Sequence, residues 1–253
     1  MKITFGKTLY AATLASALLT TGVAYADFDD LLGKVGVAKD LVGAATVSDK
    51  DVIKASAQMV AHHDSEAKIA PAGNKYAQRL SALTSKHTSE DGLKLNYKVY
   101  LSPDVNAFCT ADGSIRIYSG LMDLMNDDEL RSVIGHEIGH AKLGHMASRM
   151  KTAYMASAGR KAAAQADGAV GKIADSQLGD MFEKVVNAQF SQSNESASDD
   201  YGFAFMKKHK YDVKAMESAF RKLAKTEGGS HSMMSSHPGS AARADRMKQK
   251  AGG

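Results

Sequence analysis

The chain has 253 residues, enough for a domain with a well-buried core, and 44% of them are hydrophobic and 24% charged, as in ordinary soluble globular proteins. Its 32 basic residues, two of them within the first seven positions, nearly balance 28 acidic ones. The charge therefore gives no electrostatic argument for nucleic acid or an anionic membrane surface as a partner.

The first 26 residues have the pattern of a Sec-type signal peptide. Lys2 and Lys7 form a positive start, residues 8–26 carry no charge, and Ala24-Tyr25-Ala26 has the small-x-small spacing of a cleavage site. We expect export, cleavage and a periplasmic location. A retained membrane anchor is the alternative, because the uncharged run is nearly long enough to span a bilayer.

Cys109 is the only cysteine of the chain. A lipoprotein needs a cysteine at its cleavage point, so the sequence predicts no lipid anchor, and one thiol excludes an intrachain disulfide. No activating base accompanies Cys109 in the sequence, so we do not expect it to be a nucleophile.

Two helices and three strands are predicted in the first half. Residues 27–46, rich in Gly and Ala, are expected to form a loosely packed arm. Ser48 with Asp51 predicts one helix start, and a second helix follows Gly73. The alternating, aromatic and β-branched patterns predict strands at 97–101, 105–110 and 114–118, the last two forming a hairpin around Asp112-Gly113.

Helices dominate the second half. A capping box from Asn126 to Glu129 predicts a long helix that ends near Gly144. Residues 153–180 predict a pliable helix or a partly ordered flap, and a second strong helix is expected from Phe182 to Lys208. A low-complexity loop over 226–240 and a short basic helix complete the chain. Few strands and several helices, unevenly distributed, predict an α+β domain.

The pentapeptide His136-Glu137-Ile138-Gly139-His140 is the strongest chemical signal. Positions i and i+4 of a helix project from one face, so His136 and His140 can present ring nitrogens to one zinc ion. Glu137 lies near enough to the reacting water to act as general base without being a ligand. The alternative is a pair of histidines in an ordinary core helix.

Catalytic zinc usually takes three protein ligands and leaves one position open. The metzincin pattern, with Gly and His after the second histidine, is missing because Leu143 and Met146 stand at those positions. His145 would point away from the ion on a continuing helix, so we interpret it as a capping or surface residue.

A carboxylate from a later helix is the better third ligand. Glu195 and Asp199 are four residues apart and are predicted to share one helix face. Glu195 is expected to bind the ion, while Asp199 accepts the N–H of a ligand histidine and fixes its tautomer. Without the upstream histidines, a solvated acidic face would be the preferred interpretation. Asp200 is predicted to be a surface residue.

His237 follows a Gly-rich loop and has three open interpretations: a hydrogen-bond donor to the oxyanion, a fourth zinc ligand in a resting state, or a residue without a catalytic role. Met233-Met234 is interpreted as loop packing. The other histidines are predicted to lie at the surface: His62, His63, His87, His209 and His231.

An ordered series of motifs spans about residues 97–246. It comprises Val105-Asn106-Ala107-Phe108, Ile115 to Met122, Asp127 to Leu130, the His-Glu-Ile-Gly-His segment, Glu195 with Asp199, and His237-Pro238 with Arg243. This series resembles the HtpX-like zinc peptidases, metallopeptidase family forty-eight, and within them the periplasmic LoiP-type branch. Ser198 departs from the family pattern, which usually has Ala at this position. The resulting Asn-Glu-x-x-Ser-Asp pattern is instead similar to that of thermolysin-like enzymes.

The resemblance implies a gluzincin-like (zincin) fold and endopeptidase activity with one zinc ion per chain. His136, His140 and Glu195 fall on the ligand positions of the family, Glu137 on its catalytic acid/base, and Asp199 on its neighbouring acid. Members of this kind are associated with protein quality control in the cell envelope.

We therefore predict a single metallopeptidase domain over 27–253: an arm and helices to residue 90, a catalytic core over 91–210, and a C-terminal loop and helix over 211–253. Unfolded or flexible envelope proteins are the expected substrates, bound as extended strands along the edge strand 105–110. Outer-membrane protein-assembly factors are further expected partners, and peripheral membrane contact stays open.

Two alternatives to a peptidase remain. One is a chaperone-like protein that holds envelope clients and has latent or minor proteolysis. The other is a purely structural zinc site, which is disfavoured because such sites usually have four Cys or His ligands.

Overall fold

The computed structural model describes residues 48–162, 175–226 and 232–252. The predicted signal peptide, the arm over 27–46, the middle of the segment 153–180 and His231 lie outside the described residues. None of the helices in the described part combines the length and apolar character that crossing a bilayer requires.

Two helices open the described fold, as predicted. Helix α1 covers Asp49–Glu66 and begins with a reciprocal cap, in which the Ser48 hydroxyl accepts from the Asp51 amide and the Asp51 carboxylate accepts from the Ser48 amide. Helix α2 covers Lys75–Thr84. Its cap is Asn74, whose side-chain oxygen accepts from the Tyr76 amide.

A small antiparallel hairpin precedes the main sheet and was not predicted. Strands β1, Ser89–Glu90, and β2, Leu93–Lys94, pair with each other. Asp91 and Gly92 connect them with φ angles of 46° and 85°, the left-handed conformation that two-residue hairpin turns require. The Asp-Gly pair was therefore a usable signal here.

The main sheet has three strands in the order β3-β5-β4. Strand β3 covers Asn96–Tyr100, β4 Ala107–Cys109 and β5 Ser114–Tyr118. Strand β5 runs parallel to β3 and antiparallel to β4, which confirms the predicted hairpin. Strand β4 is shorter than the predicted 105–110 but lies at the expected edge of the sheet.

A buried ion pair joins α1 to this sheet. Arg116, only 2% exposed, donates from Nε and Nη2 to the two carboxylate oxygens of Asp64 at 2.8 and 2.9 Å. Tyr100 Oη and Lys98 Nζ also donate to Asp64. Burial alone would raise the pKa of Asp64, but these donors outweigh it and lower that pKa to about 2.

Helix α3, Ser119–Leu124, leads into α4, Asp127–Lys142. The predicted capping box is confirmed: the Glu129 amide donates to Asn126 and the Asn126 amide donates to Glu129. Gly144, at φ 74°, follows the end of α4 as expected. Helix α5, His145–Ala162, comes directly after this turn.

The prediction of a single helix from Phe182 to Lys208 is wrong, because residues 187–191 are not helical and divide this segment into two helices. Helix α6, Asp175–Val186, ends before the break, and α7, Gln192–Lys208, starts after it. Ser191 is the N-cap of α7, because its hydroxyl accepts a hydrogen bond from the Asn194 amide at 3.2 Å. A new helix therefore starts here rather than continuing from α6. The break places Phe190 against His140.

Three helices complete the described fold: α8, Ala215–Leu223, α9, Met233–Ser236, and α10, Ser240–Gly252. Helix α9 lies inside the predicted loop 226–240, and α10 is the predicted basic helix. Met233 is buried, which agrees with its interpretation as packing. The small sheet and the many helices confirm the α+β class.

Helices α4 and α7 approach each other closely where the zinc motif lies. A Cβ atom on Gly139 would come within 3.1 Å of the Ser198 carbonyl oxygen and of Tyr201 Cβ, and one on Gly202 within 3.1 Å of the His136 amide nitrogen. The absence of side chains at these positions lets the two backbones meet. The contact brings the His136 face of α4 against the Glu195 face of α7.

Candidate metal centre

The predicted ligands converge in one buried cluster. His136 Nε2 lies 3.0 Å from His140 Nε2, and Glu195 Oε1 lies 3.2 Å from His140 Nε2. The other oxygen, Glu195 Oε2, is 3.8 Å from His136 Nε2. None of the three residues is more than 2% exposed. The pairing of α4 with α7 that the sequence predicted is therefore present.

His237 joins the cluster from the segment after α9. Its Nδ1 lies 3.0 Å from Glu195 Oε1 and 3.3 Å from His136 Nε2, and its Nε2 is 3.5 Å from Glu137 Oε1. His237 is 3% exposed. It therefore closes the face of the cluster that three ligands would leave open.

The four residues fit a single zinc ion. Ligands about 2.0–2.1 Å from a tetrahedral ion stand about 3.3 Å apart, and the measured separations run from 3.0 to 3.8 Å. One ligand atom from each of the four lies within 4.8 Å of the others. Beside them, Glu137 Oε1 is buried and has no hydrogen-bond partner among the described residues. A vacant acceptor next to a ligand set suits a general base.

The protonation states also favour a metal. Burial lowers the pKa of His140 well below its usual value, so its ring is neutral and can donate a lone pair. Burial would raise the pKa of Glu195, but His237, His140 and His136 lower it much further, and the carboxylate stays charged.

Asp199 lies beside one of the histidines. Its Oδ1 lies 3.0 Å from His136 Nδ1, so this ring nitrogen donates to the carboxylate and Nε2 is left for the ion. Burial would raise the pKa of Asp199, but the hydrogen bonds from His136 and Arg243 outweigh it and lower that pKa. Asp200 points away and pairs with Arg246 and Lys250, as expected for a surface residue.

Residues 74–251 match the family model for Peptidase family M48. The chain belongs to this family. It is 42% identical over 244 residues to Metalloprotease LoiP and 37% identical over 244 residues to Metalloprotease YcaL, both of Escherichia coli K12. Those matches cover 96% of this chain and 95% and 96% of the two relatives.

A third relative is more distant. It is the "Putative beta-barrel assembly-enhancing protease" of Vibrio cholerae, 24% identical over 195 residues, which are 73% of this chain and 40% of that protein. The family and the two long matches show that this M48 protein is a metalloendopeptidase of zincin-type fold, with peptides or proteins as substrates.

Arg243 is a site residue that the sequence pattern named only as part of the resemblance. It donates from Nε and Nη2 to the two oxygens of Asp199 at 2.9 and 2.6 Å, and its Nη1 contacts Glu195 Oε2. It comes from α10, far along the chain from both carboxylates. Its spacing to them carried no signal, because only the fold brings α10 against α7.

His145 corrects another expectation. It is half-buried rather than at the surface, and its Nδ1 lies 3.1 Å from His140 Nδ1 and 3.2 Å from Ser198 Oγ. The turn at Gly144 ends α4, so His145 does not continue the helix and folds back toward His140. His140 Nδ1 therefore has a hydrogen-bond partner, as His136 Nδ1 has in Asp199.

An aromatic and cationic stack covers the other side of His140. Phe190 stacks on the His140 ring with centroids 3.7 Å apart, and the Arg149 guanidinium lies 3.2 Å from the Phe190 ring centre. Burial lowers the pKa of Arg149 to about 10. Phe190 lies between α6 and α7, in a segment that was predicted to be helical, so its contact with His140 was not predicted.

Cys109 lies on β4 against Glu137. Burial and the neighbouring Glu137 raise the pKa of its thiol, so it stays protonated and lacks the low pKa of a nucleophile. This contact also places the edge strand next to Glu137.

Proposed function

We propose that the protein is a zinc endopeptidase in which His136, His140 and Glu195 hold one ion and Glu137 is the general base. The observation that carries this is the buried meeting of two imidazoles and one carboxylate beside a Glu137 oxygen that has no hydrogen-bond partner in the described part of the chain. Zinc is the proposed metal because two histidines and a glutamate are the donor set of catalytic zinc in thermolysin-type sites.

The reaction is hydrolysis of an amide bond. When bound, the zinc ion polarises the scissile carbonyl and lowers the pKa of water at the site. Glu137 accepts a proton from the attacking water and delivers it to the leaving amine nitrogen. Asp199 keeps His136 in the tautomer that presents Nε2, and Arg243 holds Asp199 in place through two hydrogen bonds.

Substrates are proposed to bind as extended strands along the edge of the sheet. Among the described strands, β4 pairs with β5 alone, and Cys109 on β4 contacts Glu137. Main-chain hydrogen bonding to such an edge makes little demand on side chains, so unfolded or flexible proteins suit it. A folded substrate could not present the extended segment.

In the described structure the site is closed by the chain itself. The Met233 amide donates to the Val105 carbonyl at 3.0 Å, and the Phe190 amide donates to the Ser236 carbonyl at 2.9 Å. These bonds hold α9 and His237 over the cluster. One of them occupies the Val105 carbonyl, an acceptor just before the edge strand β4. Substrate entry requires this segment to move. We propose that His237 is a fourth ligand in the closed state, since its Nδ1 faces Glu195 and His136.

We propose that the protein acts in the periplasm on envelope proteins, in quality control. The signal-peptide pattern of residues 1–26 supports export. The relative named for enhancing beta-barrel assembly supports an envelope setting and outer-membrane assembly factors as partners. We also propose a single domain over 27–253; the family model matches residues 74–251 of it, and the LoiP and YcaL matches each cover 96% of the chain.

The deciding experiment combines metal analysis with casein cleavage in the wild type, Glu137→Gln and Glu195→Ala. Glu137→Gln is expected to keep its zinc at the site and lose about 10²- to 10⁴-fold in kcat/KM, because only the proton acceptor is removed. Glu195→Ala is expected to lose that zinc together with activity. Equal cleavage by wild type and Glu137→Gln would contradict the assignment of the base.

A further inference from the structure

A second histidine and carboxylate cluster lies at the far end of α7. His87 precedes the hairpin β1–β2, Glu90 belongs to β1, and His209 caps the C-terminus of α7. The prediction that His87 lies at the surface is wrong, since it is 1% exposed, and Glu90 is 5% exposed. The His209 side chain is half-buried at 24%. The remaining surface predictions are also incomplete, since His62 and His63 are half-buried.

The three side chains face one point. His87 Nδ1 lies 3.4 Å from Glu90 Oε2, and His209 Nε2 lies 3.0 Å from the same oxygen. One ligand atom from each residue is within 4.8 Å of the others. These separations match those in the first cluster and the edge of about 3.3 Å expected around tetrahedral zinc.

The surroundings hold both rings in this orientation. His87 Nε2 lies 2.8 Å from Tyr211 Oη, so this nitrogen can carry the proton and leave Nδ1 with a free lone pair. Phe205 contacts both imidazoles, with centroids 4.8 and 4.7 Å away. Lys208 pairs with the other carboxylate oxygen, Oε1, so Oε2 is the one that faces the two histidines.

We propose that His87, Glu90 and His209 bind a second zinc ion, which joins the β1–β2 hairpin to the end of α7. An ion can enter past His209, whose side chain is 24% exposed. The site stands about 21 Å along α7 from Glu195, too far for the two ions to act on one substrate. The ion would stabilise the contact between these two elements although the site lacks the four Cys or His ligands usual in structural zinc sites, and the proposal does not depend on the proposed peptidase mechanism.

The test is zinc stoichiometry after equilibrium dialysis, measured by plasma mass spectrometry on the full chain. The wild type is expected to hold two zinc ions, and Glu90→Gln and His209→Ala one each. His62→Ala, which removes a half-buried histidine of α1, is the matched control and keeps two. The Glu195→Ala variant is expected to keep the one zinc ion bound at the second cluster, and adding zinc to the metal-free variant is expected to raise its melting temperature.

Tyr211→Phe gives a readout that does not require removing a ligand. It is expected to weaken zinc binding at this site by about ten- to a hundredfold, because His87 loses the partner that fixes its tautomer. No zinc in a folded Glu195→Ala variant, or the same zinc content in wild type and a folded Glu90→Gln variant, would show a hydrogen-bonded clamp without metal and overturn the proposal. Should His209→Ala fail to fold, unchanged affinity in Tyr211→Phe would overturn it equally.

Discussion

The two ends of helix α7 carry similar ligand sets in different surroundings. At its N-terminal end, Glu195 meets His136 and His140 with at most 2% exposure, and Asp199 and Arg243 support the cluster. At its C-terminal end, His209 meets His87 and Glu90 with solvent on one side, and a lysine pairs with the carboxylate.

The difference shows that ligand type alone does not make a catalytic centre. Only the first cluster has an additional carboxylate, Glu137, with a buried oxygen that lacks a hydrogen-bond partner among the described residues. The first cluster lies beside the edge strand β4, through the contact of Cys109 with Glu137, whereas the second lies beside the opposite edge strand, β3, whose Tyr97 hydroxyl donates to the His87 carbonyl at 2.7 Å. The second cluster can bind an ion but has no base for a reaction.

Among substitutions that test the difference between the two clusters, we expect the largest effect at Asp199, the carboxylate beside His136. Asp199→Asn removes the carboxylate that orients His136 and leaves Arg243 without its two-oxygen partner. We expect a loss of about ten- to a hundredfold in zinc affinity or in activity. Zinc titration and peptide cleavage measure it. Asp200→Asn, one residue away on the surface, is the control and should leave both within about twofold.

Removing the fourth side chain of the first cluster should open it. His237→Ala frees the position that faces Glu195 and Glu137, and we expect basal casein cleavage to rise by up to about tenfold as the closed state loses its hold. Initial rates at matched zinc content give the result. A large fall in kcat would instead assign His237 as a donor to the oxyanion.

The smallest effect tests the close contact of α4 with α7. Gly139→Ala should gain about 1 kcal/mol of helix propensity but lose more, about 1–3 kcal/mol, because its Cβ meets Ser198 and Tyr201 at 3.1 Å. Net destabilisation of about 1 kcal/mol and weaker zinc binding are expected. A Cβ atom on Gly179 in α6 would lie 4.0 Å from its nearest neighbour, His62 Nε2, so Gly179→Ala should stabilise α6. Unfolding in denaturant compares the two, and equal stabilisation would contradict the packing argument.

Much of the site could be predicted because its signals are local. The i and i+4 spacing of His136 with His140, and of Glu195 with Asp199, needs only a helix to place each pair on one face. The capping box at Asn126 and the turn at Gly144 likewise depend on neighbours in the chain. The need for a third ligand beside the two histidines then predicted the pairing of the two helices, and the family resemblance agreed with it.

The residues that sequence reasoning missed are those whose contacts cross the chain. Arg243 lies 44 positions from Asp199, and His209 lies 119 positions from Glu90. The break at 187–191 was missed because the apolar pattern continues through it, and the Ser191 cap decides where α7 starts.

The sequence by itself determined which side chains have the type and the helical spacing to bind one metal ion, and it predicted that Glu137 moves the proton. Only the tertiary structure decided that Arg243 and His145 support the ligands, that His237 closes the site, and that His87, Glu90 and His209 share a second point. The physical reason is that each of these depends on the packing of separate elements, which the order of residues along one helix does not encode.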